Sequence, residues 1–153
     1  MDKNIINQYP QQFSGGPYWL GINIGPGWMP IVAHVCQEIQ NMLSEDDLRK
    51  FHWIQIKEKW GRLTMYWGPK HQVIISAVCP EGIVEFESVA TDGNQDEDMK
   101  ADLSPAIRER ILEIITRAQE RASKTCEYCG AEGSIRSWPH ISLLCEICNQ
   151  LTK

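Results

Sequence analysis

Thr125-Cys126-Glu127-Tyr128-Cys129-Gly130 and Leu144-Cys145-Glu146-Ile147-Cys148-Asn149 decide how this chain is read. Each stretch holds a Cys-x-x-Cys pair, and fifteen residues separate Cys129 from Cys145. Two pairs at about this separation form tight knuckles, each presenting two thiolates, and together they complete a tetrahedron around a metal. The ligand set is therefore Cys126, Cys129, Cys145 and Cys148, and the expected cofactor is one structural Zn2+. Such knuckles favour a left-handed residue after the second cysteine. Gly130 and Asn149, which enter that conformation at least cost, stand at those two places. Between the knuckles, Ser134 to Trp138 and Ile141 to Leu144 read as short strands turning at Pro139-His140, which makes a zinc ribbon.

Other readings of these cysteines are weaker. A redox pair needs a single Cys-x-x-Cys, and a catalytic zinc keeps a coordination position open, whereas four cysteines close the shell. A deaminase-like site requires His-x-Glu and Pro-Cys-x-x-Cys, but Val35-Cys36 follows His34 and Thr125 precedes Cys126. His140 lies between the knuckles, as a nuclease histidine would, without a second catalytic partner nearby. Cys36 and Cys79 stand outside the set and read as core thiols.

Upstream of the knuckles, Ser104-Pro105 opens a helix, Ser as N-cap and Pro at the first position. Ile107, Ile111, Ile114, Ile115, Ala118 and Ala122 form its apolar stripe, with Glu113–Arg117 and Glu120–Lys124 as i, i+4 ion pairs on the other face. No linker separates this helix from the first knuckle, so the ribbon should dock on the rest of the chain. Before it, residues 92–103 carry five acidic side chains and one basic, and read as a solvated acidic loop.

Further upstream lies Trp53-Ile54-Gln55-Ile56-Lys57-Glu58-Lys59-Trp60-Gly61-Arg62-Leu63-Thr64-Met65-Tyr66-Trp67. Alternation places Ile54 and Ile56 on one face and Gln55, Lys57 and Lys59 on the other, in a hairpin turning near Gly61. Strands at 72–78 and 83–88, joined at Pro80-Glu81-Gly82, extend it into an antiparallel meander. An amphipathic helix is expected over 30–43, with Ser44 capping a short helical turn after it. Residues Tyr9 to Pro30, rich in Gly, Pro and aromatics, read as an ordered but irregular arm. The expected architecture is α+β: helix, small antiparallel meander, long helix, C-terminal zinc ribbon. The body spans 1–103, and 104–153 is a helix with a docked ribbon, the two forming one compact unit.

Gly27-Trp28 before a helix, Ile56-Lys57-Glu58-Lys59-Trp60-Gly61-Arg62-Leu63 with Tyr66, and a helix ending in Thr125 to Gly130 resemble a loose group of small bacterial and phage proteins. The likeness covers residues 27–148. Trp60 stands where that group tends to have Phe, and Thr64-Met65 where Arg-Phe-like pairs are common. The resemblance implies a phage or mobile-element setting and a small protein that works by binding another.

Across 153 residues, 42% hydrophobic and with a net charge of −5, composition excludes collagenous, disordered and coiled-coil classes. No apolar run is long enough for a membrane span and the first residues do not resemble a signal peptide, so a cytoplasmic location is expected. The leading functional expectation is a non-enzymatic zinc protein acting by protein–protein binding, as an inhibitor of anti-defence or immunity type. It rests on six tryptophans and the lack of a nucleophile–base–acid set. The alternative is nucleic-acid binding, with Lys57, Lys59, Arg62 and Tyr66 as the candidate face and Lys124, Arg136 and Trp138 adding to it. The acidic net charge opposes that alternative, and Glu85 and Glu87 are placed to neutralise the lysines. An enzyme built from Glu58, Glu85 and His71 is the third and weakest expectation.

Overall fold

The computed structural model describes residues 2–15, 19–69, 72–79, 82–89, 103–137 and 139–152, with 72–79 and 82–89 described as backbone. The acidic segment 92–102, His71 and Trp138 lie outside them. The chain is a mixed α+β fold: α1 (Asp2–Gln8), β1 (Ile22–Asn23), α2 (Met29–Met42), α3 (Glu45–Lys50), β2 (Phe51–Lys59), β3 (Arg62–Pro69), β4 (Gln72–Cys79), β5 (Gly82–Val89), α4 (Pro105–Ala122), β6 (Ser134–Arg136), β7 (Ser142–Leu144) and α5 (Glu146–Leu151).

The helices begin where their side chains can satisfy the first orphan N–H groups. Ser44 Oγ accepts from Asp47 N, and Ser104 Oγ accepts from Ile107 N with Pro105 just inside α4. Helix α2 buries Ile31, Val32, Val35, Cys36 and Ile39, while α4 buries Ile111, Ile114, Ile115, Ala118 and Ala122. These two stripes pack on each other, and α4 also packs on β3. Arg117, which the sequence pairs with Glu113, instead reaches across to Glu38 of α2 at 3.4 Å. Leu103, placed by the sequence at the end of the acidic loop, is 4% exposed and belongs to the core.

The meander expectation changes in two respects. Strands β4 and β5 pair as a sheet of their own, and β2 is flanked by β3 on one side and by parallel β1 on the other. The register opposes Glu85 to Ser76 and Glu87 to Ile74, so neither glutamate is a ladder partner of the basic hairpin.

The phase of β2 also differs from simple alternation. Trp53 pairs with Trp67 and Gln55 with Tyr66, leaving Ile54 as a bulge residue. One inserted residue shifts the side-chain phase by one place. Phe51 and Trp53 therefore join Ile56 in the main core, and Ile54 is buried outside that cluster. Phe51 meets Trp53 edge-on at 5.0 Å and stacks on Trp67 at 5.5 Å.

The arm before α2 is more ordered than its composition suggests. Preceded by α1, it contains among the described residues two 3-10 turns (Pro10–Phe13 and Pro26–Trp28) and β1. It also inserts Gln12, fully buried, into the core. Gln12 Nε2 donates to Cys36 O at 2.8 Å and to Gln40 Oε1 at 3.1 Å, while its Oε1 accepts from Trp53 Nε1 at 3.1 Å. Every polar group of this side chain is used, which makes its burial tolerable. Cys36 beside it is the expected core thiol, and burial pushes it up to about 12. Replacing Gln12 by Leu strands the Trp53 indole N–H and removes the link to the Cys36 carbonyl, and is expected to cost about 1 to 3 kcal/mol in urea unfolding.

Candidate metal centre

The end of α4 delivers the first knuckle directly. Lys124 O accepts from Gly133 N at 2.9 Å and Cys126 N donates to Ala131 O at 2.7 Å, closing a small loop around Cys126 to Cys129. Gly130, at φ +79, gives the left-handed step the sequence predicts, and its N–H donates to Cys126 O at 2.9 Å. The second knuckle is built differently. Cys145 is the N-cap of α5, its Sγ accepting from Cys148 N at 3.4 Å, and Asn149 continues that helix. Asn149 therefore takes no left-handed conformation, because a right-handed helix already supplies the turn that Gly130 makes in the first knuckle. Strands β6 and β7 join the knuckles and are shorter than expected, pairing Ser134 with Leu144 through Arg136 with Ser142.

The four sulfurs lie within 4.8 Å of one another, and Cys129 Sγ is 3.6 Å from Cys145 Sγ. Thiolates about 2.3 Å from a central zinc form a tetrahedron with edges of about 3.8 Å, so the donor set suits a metal ion such as zinc. Four thiolates would complete the coordination shell of such an ion. Cys126, Leu144, Cys145 and Cys148 form a satellite core of their own.

Electrostatics support ligation. Burial raises the Cys126 thiol, but the N–H groups of Cys129, Cys145 and Tyr128 outweigh it and bring it down to about 6. The Cys148 thiol is pushed up to about 12, first by its hydrogen bond with Cys145 and then by burial. Ligation requires thiolates, so metal uptake releases protons. Glu127, between two of the ligands, is pushed up to about 7 by burial and by the charges of Glu58 and Cys126.

The knuckle is fastened to the body by a contact that sequence reasoning did not find. Trp28 Nε1 donates to Thr125 O at 2.7 Å, and Gly27 N donates to Glu127 O at 2.8 Å. A Cβ on Gly27 would collide with Cys126 O, so only glycine allows this approach. Leu143 of β7, fully buried, joins the main core. Gly27-Trp28 was noted in the sequence as part of a resemblance, but its hydrogen bonds to residues 98 or so positions away have no local signature.

The candidate face residues are brought together on the outer side of the β2–β3 hairpin. Lys57 opposes Thr64, Lys59 opposes Arg62, and the Lys57 ammonium lies 5.5 Å from the Tyr66 ring centre. Arg136 is not part of that face. It is engaged by Leu144 O at 3.3 Å and by Glu146 at 3.1 Å. His140 is exposed and His34 stands 3.7 Å from Glu38 on the surface of α2.

No protein-family model, curated protein or solved structure matches the chain. None of the described helices is long and apolar enough to cross a membrane.

Metal analysis of the purified protein is expected to find one divalent ion per chain, and Cys126→Ser to lose it. Chelation is expected to unfold residues 124–152, since structural metal contributes on the order of 10 kcal/mol in small modules. Because the ligands must be thiolates, affinity should fall steeply as pH drops from about 8 to about 6, which competition with a chromogenic chelator will measure.

Proposed function

We propose that this is a non-enzymatic zinc protein that acts by protein–protein binding, with Zn2+ as the ion held by Cys126, Cys129, Cys145 and Cys148. The observation that carries this reading is Trp60. It is 66% exposed at the tip of the β2–β3 hairpin, while Trp28 and Trp53 are fully buried. It also has φ +57, the sole positive φ outside glycine among the described residues.

The two-residue loop Trp60-Gly61, with both φ positive between the pair Lys59 and Arg62, is a type I′ turn. Asn-Gly or Asp-Gly is the favoured chemistry there, because a large side chain with positive φ pays a steric penalty. A tryptophan kept in that position at a cost to stability, and turned toward solvent, has the profile of an interface anchor. The ribbon continues the surface. Ile135, 52% exposed, places its Cδ1 2.7 Å from where a Gly61 Cβ would sit, and Ile141 is exposed beyond it. The apolar surface is thus shared between hairpin and ribbon, and the metal is what keeps its second half in place.

Enzymatic use of the same region has less support. Glu58, the carboxylate offered for catalysis, accepts from Gly61 N–H at 2.5 Å and so holds the turn. The cleft of about 370 Å3 between α2 and α4 is bordered by Glu38, Glu113, Arg110 and Arg117, with Arg117 paired to Glu38. As an inhibitor encoded on a phage or mobile element, the protein would need only its fold and this surface.

Trp60→Asn separates folding from binding. It should raise stability by about 1 kcal/mol, since Asn enters the left-handed region more cheaply. It should also abolish retention of a stoichiometric protein partner by the zinc-loaded chain in its native host. A variant that melts higher yet keeps the same partner would refute the role assigned to Trp60, and an eluate holding nucleic acid without protein would favour the alternative function.

A further inference from the structure

The outer face of the β2–β3 hairpin carries a charge arrangement that the fold itself does not need. Lys59 and Arg62 are directly opposed across the ladder, next to the turn. Like charges at such positions repel, and hairpins ordinarily pair opposite signs there. Lys57 lies on the same face two residues from Lys59, opposed to Thr64 and, on the β1 side, to Asn23. No carboxylate occupies a register position on this face among the described residues of β1, β2 and β3. Glu58 alternates to the other side and is taken up by Gly61 N–H. Three cations therefore line a strip ending at the exposed Trp60 in a protein whose overall charge is −5.

Resting on the protein-binding reading above, we infer that the partner presents an acidic segment, which lies along Lys57, Lys59 and Arg62 with an apolar side chain against Trp60. An acidic occupant removes the Lys59–Arg62 repulsion on binding, so the unfavourable pair in the free protein becomes differential affinity for a negative partner. The aromatic groups favour a peptide over single-stranded nucleic acid. Stacking platforms present successive open rings along the backbone track. Here the Tyr66 ring already holds the Lys57 ammonium, leaving Trp60 at one end of the strip as the free ring. Three cations also make a short footprint for a polyphosphate, and the net negative charge of the chain opposes a long one.

The test uses zinc-loaded full-length protein and fluorescence anisotropy with three labelled probes: a Glu-rich peptide with one central Leu, its Gln-for-Glu counterpart, and oligothymidine of matched charge. The acidic peptide should bind at low salt and weaken by about tenfold or more in high salt, as expected for exposed ion pairs. It should weaken comparably in Lys57→Glu/Lys59→Glu/Arg62→Glu. Both other probes should bind at least about tenfold less tightly. To separate binding from any disturbance of the hairpin by the triple change, Arg62→Glu alone, at an exposed position, is measured in parallel with metal content and circular dichroism as folding controls. Equal binding of the Gln peptide, tighter binding of oligothymidine, or binding indifferent to Arg62→Glu would each overturn the inference. The two proposals fail separately: a partner captured through Trp60 but unaffected by these charge reversals leaves the protein-binding reading standing and removes the acidic segment.

Discussion

The indole N–H of Trp28, donated to Thr125 O at 2.7 Å, is the joint between the α+β body and the cysteine module. Trp28 is itself fully buried at the start of α2, so its ring is held by the core before the hydrogen bond is made. Gly27 N–H to Glu127 O adds a second tie one residue away, and the missing Cβ of Gly27 lets the two backbones meet. Leu143 then reaches the main core from the far strand of the ribbon. Backbone groups, an indole and a leucine lock the first knuckle in one orientation, so the cysteine cluster, the ribbon and the hairpin tip form a single arrangement. A tethered finger would lack that rigidity.

That joint ties the cysteine cluster to the hairpin tip. Cys129 and Cys145 flank the β6–β7 pair with their sulfurs at ligand spacing, and Ile135 of β6 lies beside Gly61 at the hairpin tip. The exposed surface around Trp60 is therefore shared by two pieces, a hairpin built on apolar burial and a ribbon built around the four-cysteine cluster. Small modules commonly need such a staple, since little apolar surface is available to them. The strained turn fits the same logic: its cost is borne by a hairpin whose inner face is well buried at Phe51, Trp53, Ile56 and Leu63.

Much of this was legible in the chain. Cysteine spacing picked out the four thiols that the fold gathers, because coordination geometry demands short fixed intervals within each knuckle. Ser44, Ser104 and Pro105 marked helix starts, because capping uses residues three apart. Apolar periodicity gave the faces of α2 and α4. Legibility failed where the deciding partner was distant. Ile54 is buried as alternation suggests, yet the bulge opposite Trp67 and Tyr66 also sends Trp53 inward and leaves Ile54 outside the main cluster. Asn149 matched the left-handed signature but sits in α5, whose continuation is set by Cys145 as N-cap. Gln12 lay in a polar stretch with no pattern, and its place depends on a backbone carbonyl 24 residues away and an indole 41 residues away.

The sequence by itself determined which four cysteines come together, the α+β class, the starts of α3 and α4 and the position of the hairpin turn, since each rests on spacing or interactions within a few residues. Tertiary structure alone decided that β1 pairs in parallel with β2, that Trp28 joins body to ribbon, and that Trp60 rather than Trp28 or Trp53 faces solvent. Six tryptophans look alike in composition. Their burial depends on which backbone groups and side chains the fold brings around each one, and those neighbours are contributed by segments far apart in the chain.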